Sequence, residues 1–158
     1  MSVFSYSRRP TLEVAVGNTA IGGHNPIRLQ SMTSTSTMDT EGSAAQAIRI
    51  AEAGADLVRL TAQGVREATN LTAIKEAMRA HGCQVPLVAD IHFNPRAALE
   101  AAARVEKVRI NPGNFADPGR TFKKLNYTDA EYAAERARIT EALRPLIEIC
   151  RAHDTALR

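Results

Sequence analysis

Three arginines stand at equivalent places in the sequence, each beside the end of an apolar run that predicts a β-strand: Arg59, Arg109 and Arg158. Burying an unpaired charge in an apolar strand is costly, so we expect the three side chains to share an anionic partner. Guanidinium groups match phosphate oxygens in bidentate fashion and stay charged, which favours a ligand the size of a pyrophosphate. The alternative is that the arginines pair internally with carboxylates such as Asp90, as structural ions.

Other polar residues also follow predicted strands. Asp90 has the chemistry to bind substrate hydroxyls or to orient an arginine, and a plain ion pair is the alternative. His92 fits a proton donor or a phosphate contact, or else a loop histidine bonded to backbone. The side-chain amides of Asn111 and Asn114 are suited to bind phosphate or hydroxyl oxygens, although Asn, Pro and Gly are also ordinary turn residues. The Ser/Thr-rich segment 33–37 fits either a hydroxyl-lined phosphate loop or a flexible linker.

The sequence predicts no metal site within the chain. It contains no HxH or HExxH pattern, and its two cysteines, Cys83 and Cys150, are far apart and form no CxxC. Neither position is typical of a cluster ligand or a nucleophile, so we interpret both as small apolar filler. Such sparse cysteine usage fits a reducing cytoplasm.

Composition narrows the class of protein. The chain has 158 residues, of which 44% are hydrophobic and 23% charged, which is typical of a folded globular domain. The formal net charge is only +3, with basic residues dispersed along the chain, so we expect no nucleic-acid partner. No apolar run approaches the ~18 residues of a membrane helix, and no secretory signal is visible, so we expect a cytoplasmic protein without membrane contact.

The elements alternate along the chain. A short hairpin is predicted around the turn at Gly17, and strands are predicted near residues 27, 57, 86, 107 and 155. Helices between them are predicted over residues 39–53, 66–80, 95–104 and 129–152. The first is capped by Asp39 or Thr40 and the last by Asp129, while 111–114 is a sharp turn. Apolar strands alternating with helices predict a parallel sheet of the α/β class, with the hairpin as a plug at its bottom.

Two architectures compete for this order, a doubly wound open sheet and a (β/α)8 TIM barrel. No glycine-rich dinucleotide fingerprint follows the first strand, which disfavours the doubly wound fold. A full barrel needs about 250 residues, and this chain supplies about five strands and stops on one. We therefore expect residues 1–158 to be the N-terminal part of a TIM-barrel substrate-binding domain in a larger protein.

Four sequence motifs occur here in one order and spacing. They read QSMT at 30–33, GADLVR at 54–59, PLVADIHF at 86–93 and VRINPGN at 108–114. Together they resemble 4-hydroxy-3-methylbut-2-enyl diphosphate synthase, an enzyme of the methylerythritol phosphate route to isoprenoids. The resemblance extends over nearly the whole chain from about Leu12. The segment 114–158 resembles the longer variant of plants and some bacteria, which carries an inserted domain.

The resemblance implies a function for the complete protein. That family opens the ring of 2-C-methyl-D-erythritol 2,4-cyclodiphosphate reductively, using two electrons from ferredoxin or flavodoxin and releasing water. It implies a 4Fe-4S cluster held by three Cys and a Glu of a separate C-terminal domain, which closes over the barrel of a partner subunit in a homodimer. It also implies a cytoplasmic enzyme, or one of the plastid stroma in a plant.

The resemblance also implies roles for residues of this chain. By motif, Arg59, Arg109 and Arg158 match diphosphate-binding arginines. Asp90 and Asn111 match residues that contact polar groups of the substrate. His92 and Asn114 complete the matching set.

The departures from the family pattern are large. The cluster ligands, the second half of the barrel and any inserted domain are absent from the chain, so we expect it to bind no cluster and to hold no catalytic residue itself. Two alternatives remain at this point. One is another phosphate- or pterin-binding barrel, such as a dihydropteroate-synthase-like transferase. The other is an inactive truncated product whose unpaired edge strands favour association.

Overall fold

The computed structural model describes residues 9–116 and 126–158. A two-stranded antiparallel hairpin, β1 (Val14–Val16) and β2 (Thr19–Ile21), comes first. Five parallel strands and their helices follow in the order β3 (Gln30–Met32), α1 (Thr40–Glu52), β4 (Leu57–Thr61), α2 (Val65–Ala80), β5 (Leu87–Asp90), α3 (Pro95–Ala102), β6 (Lys107–Arg109), α4 (Pro112–Phe115), α5 (Asp129–Ala152) and β7 (Ala156–Leu157).

The parallel strands lie in the sheet in the order in which they occur along the chain, β3-β4-β5-β6-β7. A doubly wound sheet reverses direction near its middle, which places its first strand inside the sheet. Here β3 is an edge strand, and each following strand adds on the same side. The sheet is therefore that of a partial (β/α) barrel, and the predicted fold class is confirmed.

The two faces of the sheet carry different side chains. The face towards the helices is apolar, and Val58, Leu60, Ala89 and Val108 are buried there in the main core. The opposite face carries the residues between them, because successive side chains of a strand point to opposite sides. In the observed register Asp90 lies beside Arg109 on that face. The alternation therefore places the predicted charged residues on the inner, concave side of the partial barrel.

Small side chains allow the helices to approach the sheet. Asn94 caps α3 by accepting a hydrogen bond from the backbone N–H of Ala97, and Pro95 occupies the first helical position. The buried face of α3 is made entirely of alanines, Ala97, Ala98, Ala101 and Ala102. Because alanine has a high helix propensity and a single methyl group, α3 forms readily and packs closely.

The hairpin packs against the amino ends of the strands. Val16 is fully buried and forms a second small core with Leu57, Val88 and Ala156. All three of these partners lie on the inner face of the sheet, which follows from the strand registers. The hairpin therefore covers the bottom of the partial barrel, as predicted, and leaves the carboxyl ends of the strands open.

The hairpin turn depends on Gly17, which has φ of +57°. A Cβ atom at this position would lie 2.8 Å from Cγ of Glu106, so an alanine adds a steric clash to the left-handed backbone. We expect Gly17→Ala to lower the free energy of unfolding by about 1–2 kcal/mol. Gly54→Ala is the matched control, because Gly54 also has positive φ but open space around its Cβ position. Urea unfolding checks both variants, and an equal loss in the two would contradict a contribution from Glu106.

Three local predictions are wrong in detail. Residues 111–114 are the cap and the first three residues of the one-turn helix α4 rather than a sharp turn, because the Asn111 side chain caps that helix. The cap of α5 is Thr128 rather than Asp129, since Thr128 and Glu131 form a reciprocal capping box. The strand predicted from residue 27 begins at Gln30, because the Asp56 carboxylate takes the backbone N–H of residue 29. The predicted tail at 1–10 and the irregular region 115–128 lie mostly outside the described residues.

Candidate anion-binding site

A buried carboxylate at the end of β5 joins two of the predicted arginines. The Asp90 side chain is 5% exposed, and its Oδ1 lies 3.0 Å from Nη1 of Arg109. Its Oδ2 lies 3.4 Å from Nη2 of Arg59. Strands β4, β5 and β6 are neighbours, and parallel strands bring their carboxyl ends to one edge of the sheet. The fold thus brings together three residues that are 31 and 19 positions apart in the chain.

His92 joins the same group from the loop after β5. Its Nε2 lies 2.7 Å from Nη1 of Arg109 and 3.4 Å from Oδ2 of Asp90. A guanidinium group only donates hydrogen bonds, so the imidazole nitrogen accepts the bond from Arg109. The histidine side chain is 42% exposed and faces the open end of the sheet. The alternative of a histidine bonded to backbone is therefore not what the structure shows.

The arrangement leaves positive charge and donors available to a ligand. Two guanidinium groups share one carboxylate, so the cluster of Arg59, Asp90 and Arg109 has a net charge of +1. Both arginine side chains are more than a quarter exposed, at 28% for Arg59 and 29% for Arg109. Nε of Arg59 is buried and has no hydrogen-bond partner among the described residues. An incoming anion at this edge would meet directed N–H donors in a partly desolvated place, where their interaction with phosphate is strong.

Arg158 directly follows β7, the strand next to β6, but its side chain does not join this cluster. Its backbone N–H donates to Val108, and its carbonyl accepts from Ile110, which places it beside Arg109 in the sheet. It lines a cavity of about 440 Å³ with Lys107 and the hairpin. Burial lowers the pKa of Lys107, and the charge of Arg158 lowers it further. The structure therefore groups Arg158 with Lys107 on the inner face, below the Arg59–Asp90–Arg109 cluster.

The two predicted asparagines belong to the one-turn helix that follows β6, Asn111 as its cap and Asn114 within it. The Asn111 side-chain oxygen accepts a hydrogen bond from the backbone N–H of Gly113 at 3.1 Å, and the residue is exposed. Asn114 is half-buried, and its backbone N–H donates to the carbonyl of Asn111. Both follow Arg109 directly, so they lie at the same edge of the sheet. The capping role uses the side-chain oxygen of Asn111 and leaves its amide nitrogen for other contacts.

The Ser/Thr-rich segment 33–37 is fixed in place by neighbouring side chains. Thr37 donates its hydroxyl to the carbonyl of Thr61 at 2.6 Å, and Asn70 donates its side-chain amide to the carbonyl of Thr37 at 2.8 Å. Gln46 accepts hydrogen bonds from two backbone N–H groups of the segment, and Thr35 bonds the buried Ser43 hydroxyl. Neither sequence interpretation describes this well, because the segment is no loose linker and most of its hydroxyls are engaged in structural contacts.

We expect Asn70→Ala to loosen this segment. The substitution removes one hydrogen bond to the carbonyl of Thr37 and a pair of contacts with the hydroxyl of Thr40. The expected loss in the free energy of unfolding is about 1 kcal/mol, the usual net value for such bonds. Hydrogen exchange should show faster exchange confined to residues 33–40. Thr69→Ala on the same helix is the control. An equal increase in the exchange rate of residues 33–40 in the two variants would contradict a specific role for Asn70.

Two residues near the cluster were missed by sequence reasoning. Met32 Sδ lies 3.3 Å from Nη2 of Arg59, so its thioether helps to orient that guanidinium. Phe93 follows His92 with φ of +57°, an uncommon backbone conformation for a bulky side chain that is often found at functional sites. Both belong to motifs noted in the sequence, Met32 at the end of β3 and Phe93 in the loop after β5, but no local pattern singled out either residue.

The described residues contain no group of three or more His, Cys, Asp or Glu side chains that could hold a metal ion. Cys83 is half-buried near the end of α2, whereas Cys150 is buried within α5. Burial raises the pKa of the Cys150 thiol, which disfavours the thiolate that a metal needs. Among helices in the described part of the chain, none has the length and hydropathy needed to cross a membrane.

Comparison with known proteins identifies the family. Residues 11–158 match the family described as the GcpE TIM-barrel domain. A protein of Bacteroides fragilis named 4-hydroxy-3-methylbut-2-en-1-yl diphosphate synthase (flavodoxin) is 58% identical over the whole chain. Proteins of the same name from Parabacteroides distasonis and Akkermansia muciniphila are 58% and 52% identical over 100% and 99% of the chain. The chain spans about a quarter of the length of these relatives, 25–27%. The chain therefore belongs to the GcpE TIM-barrel domain family.

Proposed function

We propose that this chain is the N-terminal, diphosphate-binding part of a 4-hydroxy-3-methylbut-2-enyl diphosphate synthase. The observation that carries the proposal is the convergence of Arg59 and Arg109 on one buried carboxylate at the carboxyl ends of the strands. That edge is where barrel enzymes bind their substrates. The names of relatives that are more than half identical to the chain support the same function.

The proposed reaction is the reductive opening of the ring in 2-C-methyl-D-erythritol 2,4-cyclodiphosphate. Two electrons and a proton enter, one water leaves, and the product is linear 4-hydroxy-3-methylbut-2-enyl diphosphate. In this scheme Arg59 and Arg109 hold the diphosphate, and Arg158 contacts it from the neighbouring strand. Fixed cationic donors bind and orient the anion without having to reorganise during the reaction. The segment thus contributes binding and orientation.

The remaining site residues are proposed to contact the polar groups of the substrate. His92 lies beside Arg109 at the exposed edge, with its Nε2 at 2.7 Å and its Nδ1 at 3.4 Å from Nη1 of Arg109. Asn111 and Asn114 offer side-chain amides directly after β6. Asp90 faces the same space from the centre of the cluster. All four residues lie at the same end of the strands as the arginines, and we assign them substrate contacts rather than a catalytic role.

The described residues do not fit a 4Fe-4S cluster. Cys83 lies in the loop after α2, Cys150 is buried on α5 with a raised thiol pKa, and among the described residues no third ligand accompanies them. Three or four closely spaced thiolates are the usual requirement of such a cluster. We therefore assign electron transfer to parts of the longer protein and derive no step through the cluster from this chain.

The proposal extends to partners and organisation. The names of the relatives include flavodoxin, which supports flavodoxin as electron donor, with ferredoxin as the alternative. We propose residues 1–158 as the first part of a barrel domain, followed in the longer protein by its second half, an inserted domain and a cluster domain. We further propose a homodimeric, cytoplasmic enzyme. The family match favours this function over a dihydropteroate-synthase-like transferase.

Turnover by the complete protein tests the proposal. The purified enzyme, reconstituted with iron and sulfide without oxygen, is incubated with the cyclodiphosphate and reduced flavodoxin. We expect the linear diphosphate to appear by mass spectrometry, and no conversion when flavodoxin is left oxidised. Failure to convert the substrate with both flavodoxin and ferredoxin, in a protein with a full cluster absorbance, would contradict the proposed function.

A further inference from the structure

The carboxylate at the centre of the cluster occupies the place between two arginines where an anionic ligand would bind. Each oxygen of Asp90 takes one guanidinium, Oδ1 at 3.0 Å from Arg109 and Oδ2 at 3.4 Å from Arg59. A carboxylate and one edge of a phosphate group both present two oxygens to such donors. The two arginines are therefore engaged by an anion that belongs to the chain itself.

We propose that Asp90 is a positioning residue that acts as an internal counter-ion, competing with the diphosphate for Arg59 and Arg109 and so limiting how tightly the site holds its ligand. The inference rests on the proposed function, since it takes a diphosphate as the ligand. While the site is empty, the carboxylate keeps the two guanidinium groups close together despite their mutual repulsion. When a phosphate enters, it meets the same carboxylate as a like charge at short range.

Because Asp90 is buried, it competes strongly with the diphosphate for the two arginines. Asp90 is 5% exposed, so water screens its charge poorly, and it cannot turn away into solvent as a surface carboxylate would. The arginines are each more than a quarter exposed and have further N–H groups to offer. A ligand therefore adds to a site in which one negative charge is already fixed.

Such a counter-ion has a use in the proposed reaction, because substrate and product both carry a diphosphate. A site made of bare arginines would bind both tightly, and equal stabilisation of substrate and product does not speed turnover. With Asp90 in place, the arginines return to their internal partner as the product leaves. The counter-ion thus favours release while it keeps the donors in position for the next substrate.

Binding of inorganic pyrophosphate to the complete protein, measured by calorimetry, tests the inference. Asp90→Asn removes the charge at nearly constant volume, and we expect pyrophosphate to bind about fivefold or more tightly, with a lower kcat because the donors are less well positioned. Asp90→Glu keeps the charge, and its pyrophosphate affinity should stay within about twofold of the wild type. Unchanged or weaker binding in Asp90→Asn overturns the inference, as does equal tightening in both variants.

Asp56→Asn is the matched control for net charge. Asp56 also pairs with an arginine, Arg28 at 3.3 Å. It directly precedes β4, so it lies at the amino ends of the strands, whereas Asp90 lies at their carboxyl ends. We expect its pyrophosphate affinity to equal that of the wild type, and tightening as large as in Asp90→Asn would overturn the inference. Asp90→Ser removes the same charge with a smaller side chain and replaces the Asn variant if circular dichroism shows the latter unfolded.

The outcomes separate this inference from the proposed function. If Arg109→Ala abolishes pyrophosphate binding while Asp90→Asn leaves it unchanged, the anion site stands and the counter-ion role is wrong. If the wild-type protein binds no pyrophosphate and Arg109→Ala leaves substrate affinity unchanged, both are wrong. Weaker pyrophosphate binding in Asp90→Asn, together with a lowered Tm, identifies a structural ion pair and overturns the counter-ion role alone.

Discussion

Replacing Arg109 by alanine in the complete protein is expected to weaken binding of the cyclodiphosphate by about 1.5–3 kcal/mol, roughly 10- to 150-fold in Kd. Arg109 has the shorter of the two arginine contacts to Asp90, at 3.0 Å, and it also bonds His92. Its loss removes a charged donor from the proposed ligand position and leaves a buried carboxylate with one fewer partner. Calorimetry with the cyclodiphosphate measures the effect directly.

Arg79→Ala is the matched control for this experiment. Arg79 lies in the last turn of α2 and faces Glu106 at 3.6 Å, at the amino ends of the strands. The substitution removes the same charge at the amino ends of the strands, which the hairpin covers, and not at the carboxyl ends, where the cluster lies. We expect its effect on substrate affinity to be within about 0.5 kcal/mol. Equal Kd values for Arg109→Ala and the wild type would contradict the assigned role of Arg109.

Replacing Leu71 by alanine is expected to lower the free energy of unfolding by about 2–5 kcal/mol. Leu71 is fully buried on α2, within the core that joins the helices to the sheet. The substitution removes three buried carbon atoms and leaves a cavity between elements that cannot easily close. Because α2 connects two of the strands that carry the cluster, substrate affinity should fall as the barrel loosens.

Urea unfolding of the complete protein, followed by far-UV circular dichroism, measures the change in stability. Glu76→Ala is the control, since Glu76 is exposed on the same helix and alanine is a good helix former. We expect that variant to unfold within about 0.5 kcal/mol of the wild type. A loss of less than about 1 kcal/mol in Leu71→Ala would show that α2 does not pack on the sheet as the structure has it.

Much of the fold could be predicted because local patterns agree with the tertiary structure. The caps at Asp39 and Asn94 marked the starts of α1 and α3, and apolar runs marked the buried strands. The one-turn helix α4 at 112–115 was missed because Asn, Pro and Gly favour a turn and a one-turn helix almost equally. The late start of β3 at Gln30 depends on the Asp56 carboxylate, a contact over more than 25 residues that no local pattern reveals.

The candidate site could be predicted as a set of strand-end residues but not as a geometry. Strand order alone placed Arg59, Asp90 and Arg109 at one edge, since parallel strands end together. Which of them touch depends on register, and register places Asp90 level with Arg109 and two positions beyond Val88, the partner of Arg59. The internal ion pair and the substrate site were weighed as alternatives in the sequence, and the structure shows the pair at the place proposed for the substrate.

The contribution of Met32 was outside the reach of sequence reasoning. A methionine after a polar strand residue is usually apolar filler, and only the pairing of β3 with β4 brings its sulfur to Arg59. The same holds for Asn70, whose role in fixing residues 33–37 depends on a contact between α2 and a distant loop. Such contacts are set by packing between elements rather than by spacing along the chain.

A crystal structure of the complete protein with its cyclodiphosphate tests the central claim most directly. We expect phosphate oxygens within about 3.2 Å of guanidinium nitrogens of both Arg59 and Arg109, at the carboxyl ends of β4 and β6. A diphosphate bound elsewhere, with the two arginines still paired only to Asp90, would contradict the account.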